Sequence, residues 1–192
     1  MIPARWLLAL CLAMTTGPLR AAVEQDICFN YSCYQRATAV FSDADLQALR
    51  EQLQAAPDPA AERALLAQVI GRMYAIAAGQ TPIWRDRGRN SMEERGLDGA
   101  MDCIDHSINT EAFLRLLAGA GALRFHVPAE RRHRFAFLVF GEHWAATLIE
   151  AQSQSRFAVD SWFHDPGLPV TVVGFERWRA GYDPHADLQA AR

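Results

Sequence analysis

His143-Trp144-Ala145-Ala146-Thr147-Leu148-Ile149-Glu150 and Arg156-Phe157-Ala158-Val159-Asp160-Ser161-Trp162-Phe163 are two apolar runs joined through the polar turn Gln152-Ser153-Gln154-Ser155. Aromatic and β-branched residues between turn formers predict an antiparallel strand pair. Working outward, Phe135 to Phe140 reads as a preceding strand, with Gly141-Glu142 as a tight turn. Val170 to Val173 reads as a following one, and Trp178 to Arg192 as a loose polar tail.

Upstream the period changes to helical. Ala37 to Phe41 is a short strand candidate, after which Ser42 caps a helix with Asp43 and Asp45 in its first turn. Asp58 and Pro59 start a second helix, whose apolar residues from Leu65 to Ala77 recur at helical spacing until Gly79. Residues 80–102 form a long loop, of the length that is usually functional or mobile. A third helix then opens at Asp102-Cys103-Ile104-Asp105-His106 and closes at Gly119 and Gly121. Helices followed by an antiparallel meander define an α+β fold.

The chain has 192 residues, half of them hydrophobic, a net charge of −3 and no lysine. That suits a globular domain with a real core, and no basic stripe argues for nucleic acid. Arg5, the apolar run Trp6 to Met14 and the small pair Ala21-Ala22 predict an export signal over residues 1–22, too short to span a bilayer comfortably. Cleavage after Ala22 removes Arg5, Arg20 and no acid, so the charge falls to −5. The expectation is a single domain over 23–192 in the periplasm or secreted, without stable membrane insertion. Its helical part covers 23–79.

Export shapes the reading of the cysteines. Cys11 leaves with the signal, and an oxidising compartment favours a Cys28–Cys33 disulfide over a two-cysteine metal site. Cys103 is then the odd thiol, either buried and inert or kept free for chemistry. A helix N-terminus offers unpaired N–H groups to a thiolate and to an oxyanion, provided that Asp102 caps the helix. His143 and Asp160 are 17 residues apart on consecutive strands. Any antiparallel register whose paired numbers have an odd total puts them on one face, and a total of 303 puts them directly opposite. Asp160 would then orient the imidazole as the third member of a triad.

Cys103 at a helix start, His143-Trp144 opening a strand, and Phe157-Ala158-Val159-Asp160 on the next strand resemble the transglutaminase-like branch of the papain-like cysteine hydrolases. Bacterial transglutaminase-like cysteine proteinases are the nearest in pattern. The resemblance covers roughly residues 80–175. It implies a Cys103-His143-Asp160 triad and cofactor-free acyl chemistry on a peptide or protein substrate, by hydrolysis or by transfer to an amine. Trp84, Asn90 and Trp144 are the candidates for substrate contacts. Two other readings stand beside it: a zinc protein using Cys103, His106, His143 and Asp160, and a non-catalytic periplasmic binding domain. Asp105 reads as a helix-dipole residue, and His106 as a residue behind the site or in solvent. His126, His133, His164 and His185 read as surface residues, and Arg85-Asp86-Arg87 as a solvated charge run.

Overall fold

Local signals account for the three long helices of the computed structural model, which describes residues 22–135 and 142–186. Helix α1 (Asp43–Gln54) starts at Ser42, whose side chain and that of Asp45 form a reciprocal capping box. Helix α2 (Pro59–Ala78) starts with Asp58 as cap and Pro59 in its first turn, and Gly79 ends it. Helix α3 (Cys103–Gly119) starts at Asp102, which makes the same box with Asp105. The expected signal lies outside the described residues, except for Ala22.

The strands build two antiparallel sheets, so the fold is α+β. Strands β1 (Val23–Phe29) and β2 (Gln35–Phe41) form a two-stranded ribbon, in which Val23 faces Phe41 and Phe29 faces Gln35. Strand β1 was not expected. Its Ile27, Cys28 and Phe29 are buried, but the polar Glu24, Gln25 and Asp26 before them hide the strand pattern. Strands β3 (His126–Phe135), β4 (Glu142–Glu150), β5 (Arg156–Asp160) and β6 (Thr171–Gly174) form the second sheet in that order.

Three boundaries need correction. β3 lies earlier than expected, because the polar stretch His126–Arg134 pairs with β4 despite its charge; residues 136–140 of the expected strand lie outside the described residues. β5 stops at Asp160, where Ser161 to Phe163 turn away to the interior. The tail is not loose at its start: Phe175–Arg179 form a short helix, α4, whose Trp178 is fully buried.

The central strands are covered on both faces. Ala146, Leu148 and Val159 join the main core with Leu66, Ile70, Phe113 and Leu117 of α2 and α3. Ala145 and Ala158, on the opposite face, pack against Trp178. Two-sided burial explains why β4 reads as a continuous apolar run rather than an alternating one. Segment 80–102 contains two 3-10 turns (Pro82–Arg85 and Met92–Glu94), and its two ends reach the core through Ile83 and Met101. A Cβ on Gly99 would meet the Pro82 carbonyl oxygen at 2.1 Å, and Gly99 also has a φ of +88°, so only glycine fits there.

Candidate active site

The β4–β5 register places two of the candidate side chains together. Ala146 faces Val159 and Ile149 faces Arg156, so paired numbers total 305, odd as the one-face condition requires but one step from directly opposite. His143 and Asp160 thus lie diagonally on one face, the side covered by Trp178. His143 Nε2 donates to Asp160 Oδ2 at 2.7 Å. Both side chains are buried. Burial by itself lowers the His143 pKa. The charge and hydrogen bond of Asp160, joined by a hydrogen bond and charge interaction with Cys103, reverse this and bring it up to about 9. Burial likewise opposes ionisation of Asp160, but His143 and the donors Trp178 and Trp162 hold its carboxyl below the ordinary range.

Cys103 reaches this pair from the other layer. It is the first residue of α3 and partly exposed. Its thiol approaches the Glu142 carbonyl oxygen at 3.6 Å, at the start of β4, and interacts with the neighbouring imidazole. Because Nε2 of His143 is engaged by Asp160, Nδ1 is the ring nitrogen left for the thiol. Asp102 accepts from the Asp105 N–H at 2.9 Å and from the Ser32 N–H at 3.0 Å, so its carboxylate is spent on capping.

The first turn of α3 is held by the loop that the Cys28–Cys33 disulfide closes. Asn30, Tyr31, Ser32 and Cys33 all have positive φ, a costly run for residues other than glycine. The run turns successive N–H groups toward α3: Tyr31 and Cys33 donate to the two Asp105 oxygens at 2.8 and 2.5 Å. Asn109, one turn on, takes both the N–H and the carbonyl of Cys28 at 2.8 Å. Burial and the Asp102 charge push the Asp105 carboxyl up to about 7, while the N–H donors pull the other way. Asp105 is therefore more than a helix-dipole residue: it ties α3, the helix of Cys103, to the bridged loop.

The chain matches no protein-family model, no curated protein and no solved structure.

Behind Cys103, His143 and Asp160 lies a buried polar network, in which Asp86 departs from expectation and His106 takes the first of its two expected settings. Asp86 is fully buried rather than solvated. It accepts from Asn90 Nδ2 at 2.6 Å and from the Met101 N–H at 2.7 Å, and it bonds His106 Nε2 at 3.0 Å. His106 is buried, not in solvent, and its Nδ1 pairs with Ser161 Oγ at 2.9 Å. Both ring nitrogens are thus occupied, so His106 does not join Cys103, His143 and Asp160. Among the described residues no group of three or more His, Cys, Asp or Glu side chains is placed to hold a metal ion. His126 is also buried rather than superficial, bonding Glu62 at 2.7 Å beneath the α2 N-terminus.

The three substrate-contact candidates sit in different settings. The Asn90 amide is inside, committed to Asp86. Trp84 is exposed with the Arg85 guanidinium 4.7 Å from its ring. Trp144 is half-buried beside the His143 strand end, 4.8 Å from the His133 ring, and it donates to Glu142 at 3.2 Å. The aromatic wall of the site is supplied by Trp162, Phe163 and Trp178, whose rings lie 4.9, 5.7 and 5.8 Å from that of His143. The indole of Trp178 donates to Asp160 at 2.8 Å. The sequence signal for it was weak: a tryptophan among charged residues of an apparent tail.

Proposed function

We propose that this protein is an exported cysteine hydrolase or acyltransferase of the transglutaminase-like type, acting on peptide or amide bonds. The observation that carries this reading is the single imidazole held between the Asp160 carboxylate and the Cys103 thiol. A buried imidazole whose proton affinity is raised by a carboxylate takes the thiol proton, and the resulting thiolate lies at a helix N-terminus. Cys103 Sγ attacks the acyl carbon, and the Cys103 N–H at the start of α3 contributes to holding the developing oxyanion. The His143 imidazolium protonates the leaving amine as the C–N bond breaks. The neutral ring then takes a proton from water or an acceptor amine, which attacks the thioester and releases Cys103. Asp160 stays ionised throughout and keeps the ring oriented.

The Cys28–Cys33 bridge supports an oxidising compartment, and no helix among the described residues is long and apolar enough to cross a membrane. The test is alkylation of the native protein by iodoacetamide at mildly acidic pH, with peptide mapping. Rapid labelling confined to Cys103 and slowed by His143→Ala is expected. Labelling that becomes fast only on unfolding would overturn the assignment.

A further inference from the structure

Asp160 Oδ2 serves two donors. It receives His143 Nε2–H at 2.7 Å and Trp178 Nε1–H at 2.8 Å, while Oδ1 accepts from the Trp162 N–H at 3.2 Å. Trp178 is fully buried, so its N–H has no solvent alternative and would be costly to leave unpaired. Its place is set from two sides. The ring stacks on Phe175 at 5.7 Å. Arg134, the cross-strand partner of His143, donates to the Trp178 carbonyl and at 3.2 Å to that of Tyr182, with its guanidinium 4.9 Å from the indole.

An indole N–H does not titrate in this range. It can fill a carboxylate lone pair without competing for the proton that His143 carries. A carboxylate with a second donor is also less basic and is held in one rotamer. Resting on the Cys103–His143–Asp160 reading above, we propose that Trp178 is a positioning residue: its N–H fixes the Asp160 carboxylate against the His143 imidazole and moderates the grip of that carboxylate on the imidazolium. The other charged groups bearing on this pair are Cys103 from α3, Arg134 from β3, Asp183 (an influence on Arg134) and His164, which feels the Asp160 charge.

The test is Trp178→Phe, which keeps an aromatic ring against Phe175 and removes the donor. His143 is followed by NMR of protein labelled with ¹⁵N-histidine, alongside Cys103 alkylation. The His143 midpoint is expected to rise by about half a pH unit, the worth of one ordinary hydrogen bond. Alkylation of Cys103 near neutral pH is expected to slow about tenfold as the ring loses its orientation. A lower melting temperature with the wild-type midpoint and alkylation rate would mean a packing role alone and would overturn the inference. If the variant does not fold, the unmodified chain decides. The Trp178 Nε1–H resonance should titrate with the His143 midpoint, and a resonance flat through that range sinks the proposal. Failure of the catalytic reading is separately visible, as wild-type Cys103 labelling that ignores His143→Ala.

Discussion

Asp160 and His143 shape part of the pH behaviour of the molecule through one hydrogen bond. The His143 pKa is raised to about 9 in the folded protein, above its ordinary value of 6.5. A group with a raised folded pKa adds stability that is complete below the unfolded value and is lost as pH rises through the folded one. Stability should therefore decline between about pH 6.5 and 9, and His143→Gln should flatten that part of a urea-midpoint profile. The acid side has the opposite sign: the depressed Asp160 carboxyl adds stability that disappears as pH falls through its folded pKa. Catalysis should show an alkaline limb near pH 9, where the imidazolium is lost. Asp160→Asn should cut kcat/KM by about 10³–10⁴, because the ring loses both its tautomer and its countercharge. An activity within a few-fold of wild type would remove Asp160 from the mechanism.

Among the elements, the bridged loop and α3 form one unit. Opening the Cys28–Cys33 bridge by a Cys28→Ser, Cys33→Ser double substitution frees a short loop and should cost about 2 kcal/mol in a denaturant titration. Asp105→Ala should cost more, about 3 kcal/mol, because it strands the buried Tyr31 N–H and the half-buried Cys33 N–H rather than merely freeing chain. If Asp105→Ala proves the milder change, the loop is held by the bridge and not by the carboxylate. The helix starts at Ser42, Asp58 and Asp102 were legible in the sequence because a cap is decided within one turn. Strands β1 and β3 were not, since His126–Arg134 carries its charges on a pairing edge and pairs regardless of pattern. That Cys103, His143 and Asp160 approach one another was expected from order and spacing. The second buried layer, Asp86-His106-Ser161, was not: a charge run such as Arg85-Asp86-Arg87 reads as solvated unless the partner of its middle residue is known.

For the whole molecule, the core and the site depend on the same sheet. Phe113 packs edge-on against both Phe41 and Tyr74, at 5.6 and 5.1 Å, joining the ribbon, α2 and α3. Phe113→Ala should lower stability by about 3–5 kcal/mol, a cost to be read from denaturant midpoints. Its distance in sequence from Cys103 would not protect activity if α3 shifts. The opposite face carries a smaller apolar cluster, with Ala145, Ala158 and Trp178 as its buried hydrophobic members. The sequence by itself determined the α+β class, the starts of α1, α2 and α3, the strand periods that put His143 and Asp160 on one face in any odd register, and the pairing of two near cysteines. Those are short-range outcomes of capping, side-chain period and loop closure. Tertiary structure alone decided that the total is 305, that His106 turns to Asp86 and Ser161, and that Trp178 returns to Asp160. Each depends on how packed layers dock, and docking is selected by burial over the whole core, a quantity that no local stretch of sequence contains.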